Sequence, residues 1–516
     1  MKKQFLSALC LLLLPAFLLS GCWQADSAEP DEPNQITELI PEKETASTPA
    51  APLLPKQFSL AYMPDQSLDP VTCPDGMQQT VASLLYEGLF RLGPDLEPEY
   101  SLCESYTCDE AFLTYTFTLR SGILFSDGSP LTAADVKASL VRAKTSARYG
   151  SRLANIRSVS AGENSVTVTL SSPNSALPAL LDIPVVKSGT ETLTAPIGTG
   201  PYFFSPENTA PCLAVNQLWW RGSGQPLDRI SLVEAADRST MLYRFTSRDV
   251  QLAAADLTGP EAYNLSGSIS YQDANTTVLQ YLGCNITRAP MNKAAFRYAL
   301  NCGINREHIV SAFLSGHGLA AQFPLSPVSS LYPHQLEQPY SLDTFTAALA
   351  QSEYFLEGPL TLLVNAENSF KVSIAEYLAE SFTDAGIPVE VRALAWEEYA
   401  AALAAGNFDL YYGEVRLSAD WDLSALLEDG GAVNFGGWVS TQTASLLDTY
   451  AAAADREEAM EAICVHLQKF APILPICFKS SSVLLQADVV DGLISTAAEP
   501  FYNLQSCTVS LQNSTK

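Results

Sequence analysis

In a chain of 516 residues, catalysis would show first as nucleophiles, metal ligands or phosphate loops, and these are sparse here. There is no GxSxG elbow, no GxxxxGK loop and no HExxH pair. Four histidines, His308, His317, His334 and His466, lie near no cysteine pair at zinc-finger spacing, and no CxxC occurs. A metal site is therefore not expected, nor is any other cofactor. The glycines of PIGTGPY (residues 196–202) faintly suggest a phosphate loop, but the lysine and the GxGxxG spacing are missing. Its breakers instead predict a tight crossing of the backbone. Acidic residues are plentiful. Sequence alone does not show whether two carboxylates face each other, so a glycosidase is not removed by motif. The missing motifs otherwise argue against an enzyme.

The cysteines divide by position. Of eleven, Cys10 lies in an apolar run over residues 5–19 that follows Lys2 and Lys3. That run is shorter than the ~20 residues of a spanning helix. It predicts a secretory leader over residues 1–21. Cys22 closes LLSGC, which resembles the bacterial lipobox. The resemblance implies cleavage before Cys22 and lipidation of its thiol, anchoring the chain to a membrane it does not cross. Nine cysteines remain, an odd number, so at least one stays unpaired. Cys103 and Cys108 are close enough in sequence to pair, but nothing in the spacing requires it. Most of the nine read as small buried apolar residues.

Residues 22–56 are rich in Pro, Glu, Ala, Ser and Thr and show little apolar periodicity. They predict a flexible tether. The body beyond is too long for one simple core and predicts two or three domains. A count of 56 acidic against 29 basic residues gives a net charge of −27, which repels phosphate backbones and excludes nucleic acid as a partner.

Periodicity supplies the elements. FSLAY (residues 58–62) reads as a strand, and Val81, Leu84, Leu85 and Leu89 recur at helical spacing. YTFTLRSG (residues 115–122) alternates as a half-buried strand, and Thr132 with Asp135 forms a capping-box pattern. SVTVTL is a strand. The second half alternates LTLLVN, a helix over 371–385 ended by Gly386, VEV, a helix over 396–405 ended by Gly406, and FDLYY. PILPICF returns to strand. Strands alternating with helices predict a parallel α/β sheet.

YLGCNITRAPMNKAAFRYALNCGINREHIV (residues 281–310) runs from a strand through a polar turn into a long helical pattern. It resembles the signature segment of the peptide/nickel class of ABC-transporter solute-binding proteins. LLYEGLFRLGPDLEPEYSLCESY, YTFTLRSGILFSDGSPLTAADVKASL, PIGTGPYFF, NQLWWRG, AWEEYAAALAAGNFDL and PILPICF resemble further family segments in the family's order. The similarity covers nearly the whole body. It implies a periplasmic-binding-protein-like α/β fold of two lobes with a hinge and an extra domain. The expected division is lobe I over 57–88, 194–278 and 472–516, the extra domain over 89–193, and lobe III over 279–471.

The resemblance also implies the partners. These are a peptide or another small solute in the interlobe cleft, ABC permease subunits, and the membrane through the N-terminal lipid. A monomer suffices. Other solutes (an oligosaccharide, a nickel or haem complex) and a non-transport surface role stay open. In peptide-binding relatives an Asp after the FD strand holds the peptide's α-amino group. Asp420 in SADWD falls in that place, with Asp422 as the alternative. GEVRLSAD departs from the family's GW pattern and puts ordinary peptide geometry in doubt. Within it, Arg416 either meets a solute carboxylate or neutralises Glu414 or Asp420. Trp396 corresponds to a cleft aromatic or to a packed helix start. NFGGW matches a loop near the ligand, through Asn434 and Trp438, where Trp438 either stacks on the solute or caps the core.

Overall fold

The computed structural model describes residues 54–74, 76–206, 210–260 and 268–512. The expected leader, Cys22 and the tether up to residue 53 lie outside the described residues.

An eleven-stranded sheet runs through the body. At one end Val389–Leu394 and Leu360–Asn365 pair in parallel, and Leu360–Asn365 pairs in parallel with Leu410–Arg416. At the other end Ser59–Tyr62 lies parallel to Arg229–Glu234 and Leu252–Ala255. Two long antiparallel strands, Ile269–Cys284 and Ile473–Gln486, join these parallel groups. The predicted parallel sheet is thus a mixed one. Each long strand must serve both halves, and one run of extended backbone reaches far enough to do so at ~3.3 Å per residue.

Their composition shows where they pass from one half to the other. Residues 279–284 and 473–478 are buried and largely apolar, as are Val483, Leu484 and Leu485. At their inner ends sit the buried polar residues Thr276, Thr277, Gln280, Lys479, Ser480 and Ser482. The pairing slips twice in this polar stretch, between Asn275 and Leu279 and between Gln280 and Tyr281. Such irregularities bend a ladder and raise its local twist. Alternate residues face opposite sides of the sheet: Leu282 and Cys284 join the cluster around Phe296 and Phe382, while Leu279 and Tyr281 join the one around Trp421 and Phe478.

Residues 281–310 contain no chemistry because they brace this arrangement. The helical pattern is two helices, Ala294–Cys302 and Arg306–Phe313, the second capped by the Asn305 side chain. Buried Arg297 donates to the carbonyls of Phe470, Ala471 and Met291. Buried Arg306 donates to those of Ala321 and Pro475. Asn285 ties the carbonyls of Gly406 and Phe408. Tyr281 faces Gly413 and Gly283 faces Tyr411 across adjacent strands, so each ring lies over the opposite glycine. The two hydroxyls meet at 3.2 Å.

A separate antiparallel sheet of Cys103–Cys108, Thr114–Leu119, Ser165–Leu170 and Ile156–Ala161 has its own core, covered by Ala133–Lys144. That helix carries the Thr132–Asp135 capping box. The helix expected through Leu89 is only Met77–Ala82. The chain leaves it because the carbonyls of Leu84 and Leu85 accept from Tyr202 and Gly200. This is the crossing of PIGTGPY. A Cβ on Gly198 would lie 2.1 Å from the Leu85 oxygen. Seven of the nine described cysteines are buried. Cys103 and Cys108 end one six-residue strand, and extended backbone holds them too far apart for a disulfide.

Candidate functional site

The polar stretch of the long strands forms a seam between the two halves of the large sheet, and most charged contacts of interest lie along it. Lys479, with a side chain 7% exposed, donates to Asp256 at 2.7 Å and lies 3.6 Å from Glu414. Lys371, near the start of helix Ser369–Asp384, reaches Glu414 at 3.3 Å. Gln280 donates to the same carboxylate at 2.9 Å and accepts from the Tyr412 hydroxyl at 2.7 Å. Burial opposes ionisation of Glu414, but Lys371 and Lys479 outweigh it and hold the carboxyl below its usual range. Asp256 is likewise held low by Lys479, against burial. Asn368 completes the seam, donating to the Thr258 carbonyl at 3.2 Å.

Sequence reasoning did not single out Lys479, Lys371, Asp256 or Gln280. The readable signal was Lys479, the one charge in the buried run ILPICFKSSSVLLQ. A cation there must be paired to be tolerated.

Asp420 lies beyond the end of Leu410–Arg416, where the loop meets the separate four-stranded sheet. It is 6% exposed. Its Oδ2 accepts from Asn174 Nδ2 at 2.8 Å. Its Oδ1 accepts from the Ser418 hydroxyl and, at 3.4 Å, from the Asp422 backbone N–H. The Tyr450 hydroxyl and Arg456 donate to its backbone carbonyl, not to its carboxylate. Among the described residues no cation pairs with the carboxylate; Arg152, near enough to feel it, is paired with Asp182. Burial pushes the Asp420 carboxyl up, and Asp422 adds to this, against the hydrogen bonds from Ser418 and Asn174. The next residue, the buried Trp421, has a φ of 59°, unusual for a bulky side chain.

The other predicted residues divide. Arg416 is exposed and has no ion pair among the described residues, since Glu414 is taken by the two lysines. Trp396, 57% exposed as a residue, begins helix Trp396–Ala404 with its ring tilted against Tyr399. Asp422 caps the turn at Ser424. Asn434 staples its own loop through the carbonyls of Glu428 and Trp438. Trp438 is buried, donates to Thr443 at 3.0 Å and packs against His466 and Phe470, so it caps the core. Asp420 and Arg416 thus share one loop and strand end, while Trp438 and Asn434 form a structural unit.

One grouping invites an enzymatic reading. His317 Nδ1 lies 2.9 Å from Asp273, and Ser482 is alongside. The serine hydroxyl donates to Asp273 at 2.6 Å, so its proton faces that carboxylate and not the imidazole of His317. Among the described residues no three His, Cys, Asp or Glu converge on a candidate metal position.

Residues 97–431 match the family model described as bacterial extracellular solute-binding proteins, family 5 middle. The glutathione-binding protein GsiB of Escherichia coli (strain K12) is 28% identical over 386 residues, spanning 70% of this chain and 75% of the relative. The ABC transporter substrate binding protein CtaP from Listeria monocytogenes superposes with a TM-score of 0.72 at 18% identity, covering 88% of this chain and 99% of that one. The oligopeptide-binding protein AppA from Bacillus subtilis, in complex with a nonapeptide, superposes with a TM-score of 0.60 at 19% identity, covering 89% and 100%. These likenesses establish the two-lobe α/β fold. With that fold, a polar seam at its middle and a family match over most of its length, the chain belongs to the bacterial extracellular solute-binding proteins of family 5.

Proposed function

We propose that this protein is a lipid-anchored receptor that captures peptides between its lobes and delivers them to an ABC permease. The observation that carries the peptide reading is Asp420, a buried carboxylate with hydrogen-bond donors but no ion pair among the described residues. A buried charge of this kind is costly unless paired. A peptide's α-ammonium supplies the missing partner as a charge-assisted hydrogen bond. Arg416, exposed and without an ion pair among the described residues, is suited to a ligand carboxylate. Trp396 offers an exposed aromatic face for a side chain of the ligand. Glutathione, bound by the E. coli relative, carries both a free α-ammonium and free carboxylates, and is a natural first probe.

In this reading Cys22 carries the lipid, residues 22–56 hold the body off the membrane, and the receptor acts as a monomer that neither catalyses a reaction nor binds nucleic acid. The division into lobe I, the extra domain and lobe III is the one given above. Ligand shifts the lobes toward closure by binding the closed form more tightly than the open one.

Native mass spectrometry of the purified protein, before and after denaturation, tests the solute. Released peptides support the reading. A released sugar, or a nickel or haem complex, replaces the peptide by that solute and leaves the receptor class standing.

A further inference from the structure

We propose that the protein has a second small-molecule site, remote from the lobe seam, that binds a small zwitterion of the free α-amino-acid type between Arg221 and Glu499. The site is a cavity of about 240 Å³. It is lined by Glu87, Arg91, Trp219, Arg221, Glu499 and Tyr502, among others, and by no residue of 279–471. A ligand there does not touch Asp420, Arg416 or Trp396.

The argument rests on which charges are already satisfied. Glu87 accepts from the Thr199 hydroxyl at 2.8 Å and from the indoles of Trp219 and Trp220 at 3.2 and 3.0 Å. Arg91 is committed to Glu99 through two nitrogens, at 3.0 and 2.9 Å, and to the Tyr502 carbonyl at 3.2 Å. It also lies over the Tyr502 ring at 4.1 Å. Two groups are left short. Arg221 donates one nitrogen to Ser101 at 3.1 Å and lies over the Trp220 ring at 4.7 Å, but its buried Nε has no hydrogen-bond partner among the described residues and stands 3.6 Å from Glu87. The Glu499 carboxylate receives no hydrogen bond among the described residues, and its ion-pair neighbour is Arg91 at 3.8 Å.

Arg221 and Glu499 influence each other's ionisation without pairing. The cavity therefore presents an underused guanidinium and an underused carboxylate. A carboxylate matches the planar donors of Arg221, and an ammonium matches Glu499. The four charged residues lining the cavity, Glu87, Glu499, Arg91 and Arg221, balance when ionised, and a ligand of one sign would upset that balance. A lone anion is thus disfavoured, and a ligand bearing both charges is not.

Burial supports this assignment by pushing the Glu499 carboxyl up to about 7, against Arg91 and Arg221. Such a group gains most from an added cation. Binding of the zwitterion should weaken as pH falls below 7, because protonation removes the ammonium's partner while Arg91 and Arg221 remain charged.

The test is isothermal titration of the whole protein with L-alanine, N-acetyl-L-alanine and L-alaninamide at pH 8. The expected result is one L-alanine per chain, with each single-charge analogue at least tenfold weaker. Glu499→Gln, nearly isosteric, should weaken L-alanine tenfold or more, as should Arg221→Lys. Asp420→Asn should leave it unchanged, which separates this cavity from the seam. Absence of binding by L-alanine, and by glycine and L-serine titrated beside it, overturns the proposal. So does equal binding of both analogues, or affinity lost in Asp420→Asn but kept in Glu499→Gln. Glycine and L-serine, titrated in parallel, guard against a wrong choice of side chain: if none of the three binds, the site is not an amino-acid site.

Discussion

Replacing Asp420 by Asn should make the ligand-free protein no less stable while sharply weakening peptide binding. The two signs have separate origins. In the free protein the carboxylate is buried, and its pKa lies above the usual value of 3.8 because burial penalises the charge. The folded chain therefore holds this proton more tightly than the unfolded chain does. The group's contribution to stability is then fully present below pH 3.8 and is lost as pH rises through the folded pKa. Asn carries no charge, so the variant should lack this loss and melt at the same or a higher temperature at pH 7. Its side-chain oxygen still accepts from Asn174, while the Ser418 hydroxyl turns to accept from the new amide.

Binding behaves oppositely. A peptide ammonium facing Asn instead of a buried carboxylate loses about 3 kcal/mol, from the range for breaking a buried, hydrogen-bonded charge pair. That is about 150-fold in Kd. The assay is titration of trialanine or glutathione into wild type and variant, with thermal melts of both ligand-free proteins between pH 4 and 8. Undiminished affinity together with a lower melting temperature would refute the reasoning. Asp420 would then be a structural tie between the Asn174 loop and the loop that follows Leu410–Arg416.

Lys479→Met should destabilise the protein by about 2 to 3 kcal/mol, below the full cost of breaking a buried pair because Asp256 is 39% exposed. Asp256 and Glu414 have lowered pKa values, so the wild-type advantage should be present above the unfolded carboxylate range and shrink as pH falls through their folded values. Urea denaturation at pH 7 and pH 3 measures both. Gly283→Ala would set a methyl 2.0 Å from the Tyr411 ring, and should cost about 3 kcal/mol, toward the top of the overpacking range, as a lower urea midpoint. Arg416→Ala should leave stability within about 0.5 kcal/mol, yet weaken trialanine tenfold or more and its C-terminal amide much less. Equal losses for both peptides would remove Arg416 as the carboxylate anchor.

Much of the fold was legible because its signals are local. The capping box at Thr132 and Asp135, the glycine stops at Gly386 and Gly406 and the alternation of SVTVTL depend only on neighbouring residues. The sheet's mixed direction was not legible, since it depends on partners about 200 residues apart, such as Ile269 with Gln486. The helix expected to reach Leu89 stopped for a similar reason: Gly200 and Tyr202 compete for its carbonyls. At the site, position in a motif pointed to Asp420, but Asn174, which holds its carboxylate, is 246 residues away. Trp438 shows the opposite difficulty. A tryptophan in a loop reads alike whether it faces a solute or a core, and only Thr443, His466 and Phe470 decide it.

The strand Ile473–Gln486 pairs with residues 269–283 along most of its length and with Leu252–Ala255. It supplies side chains to the cores on both sides of the seam. A chain emerging from its N-terminal end therefore completes neither lobe until residue 486 is free, although more than 450 residues have already appeared. Until then the edges of Ile269–Cys284 and Leu252–Ala255 are open templates for another chain. The four-stranded sheet, whose strands all fall between residues 103 and 170, faces no such wait. Assembly is accordingly late and concerted for the two lobes and early for the small sheet. Loss of the last 45 residues should unravel both lobes together, not one of them.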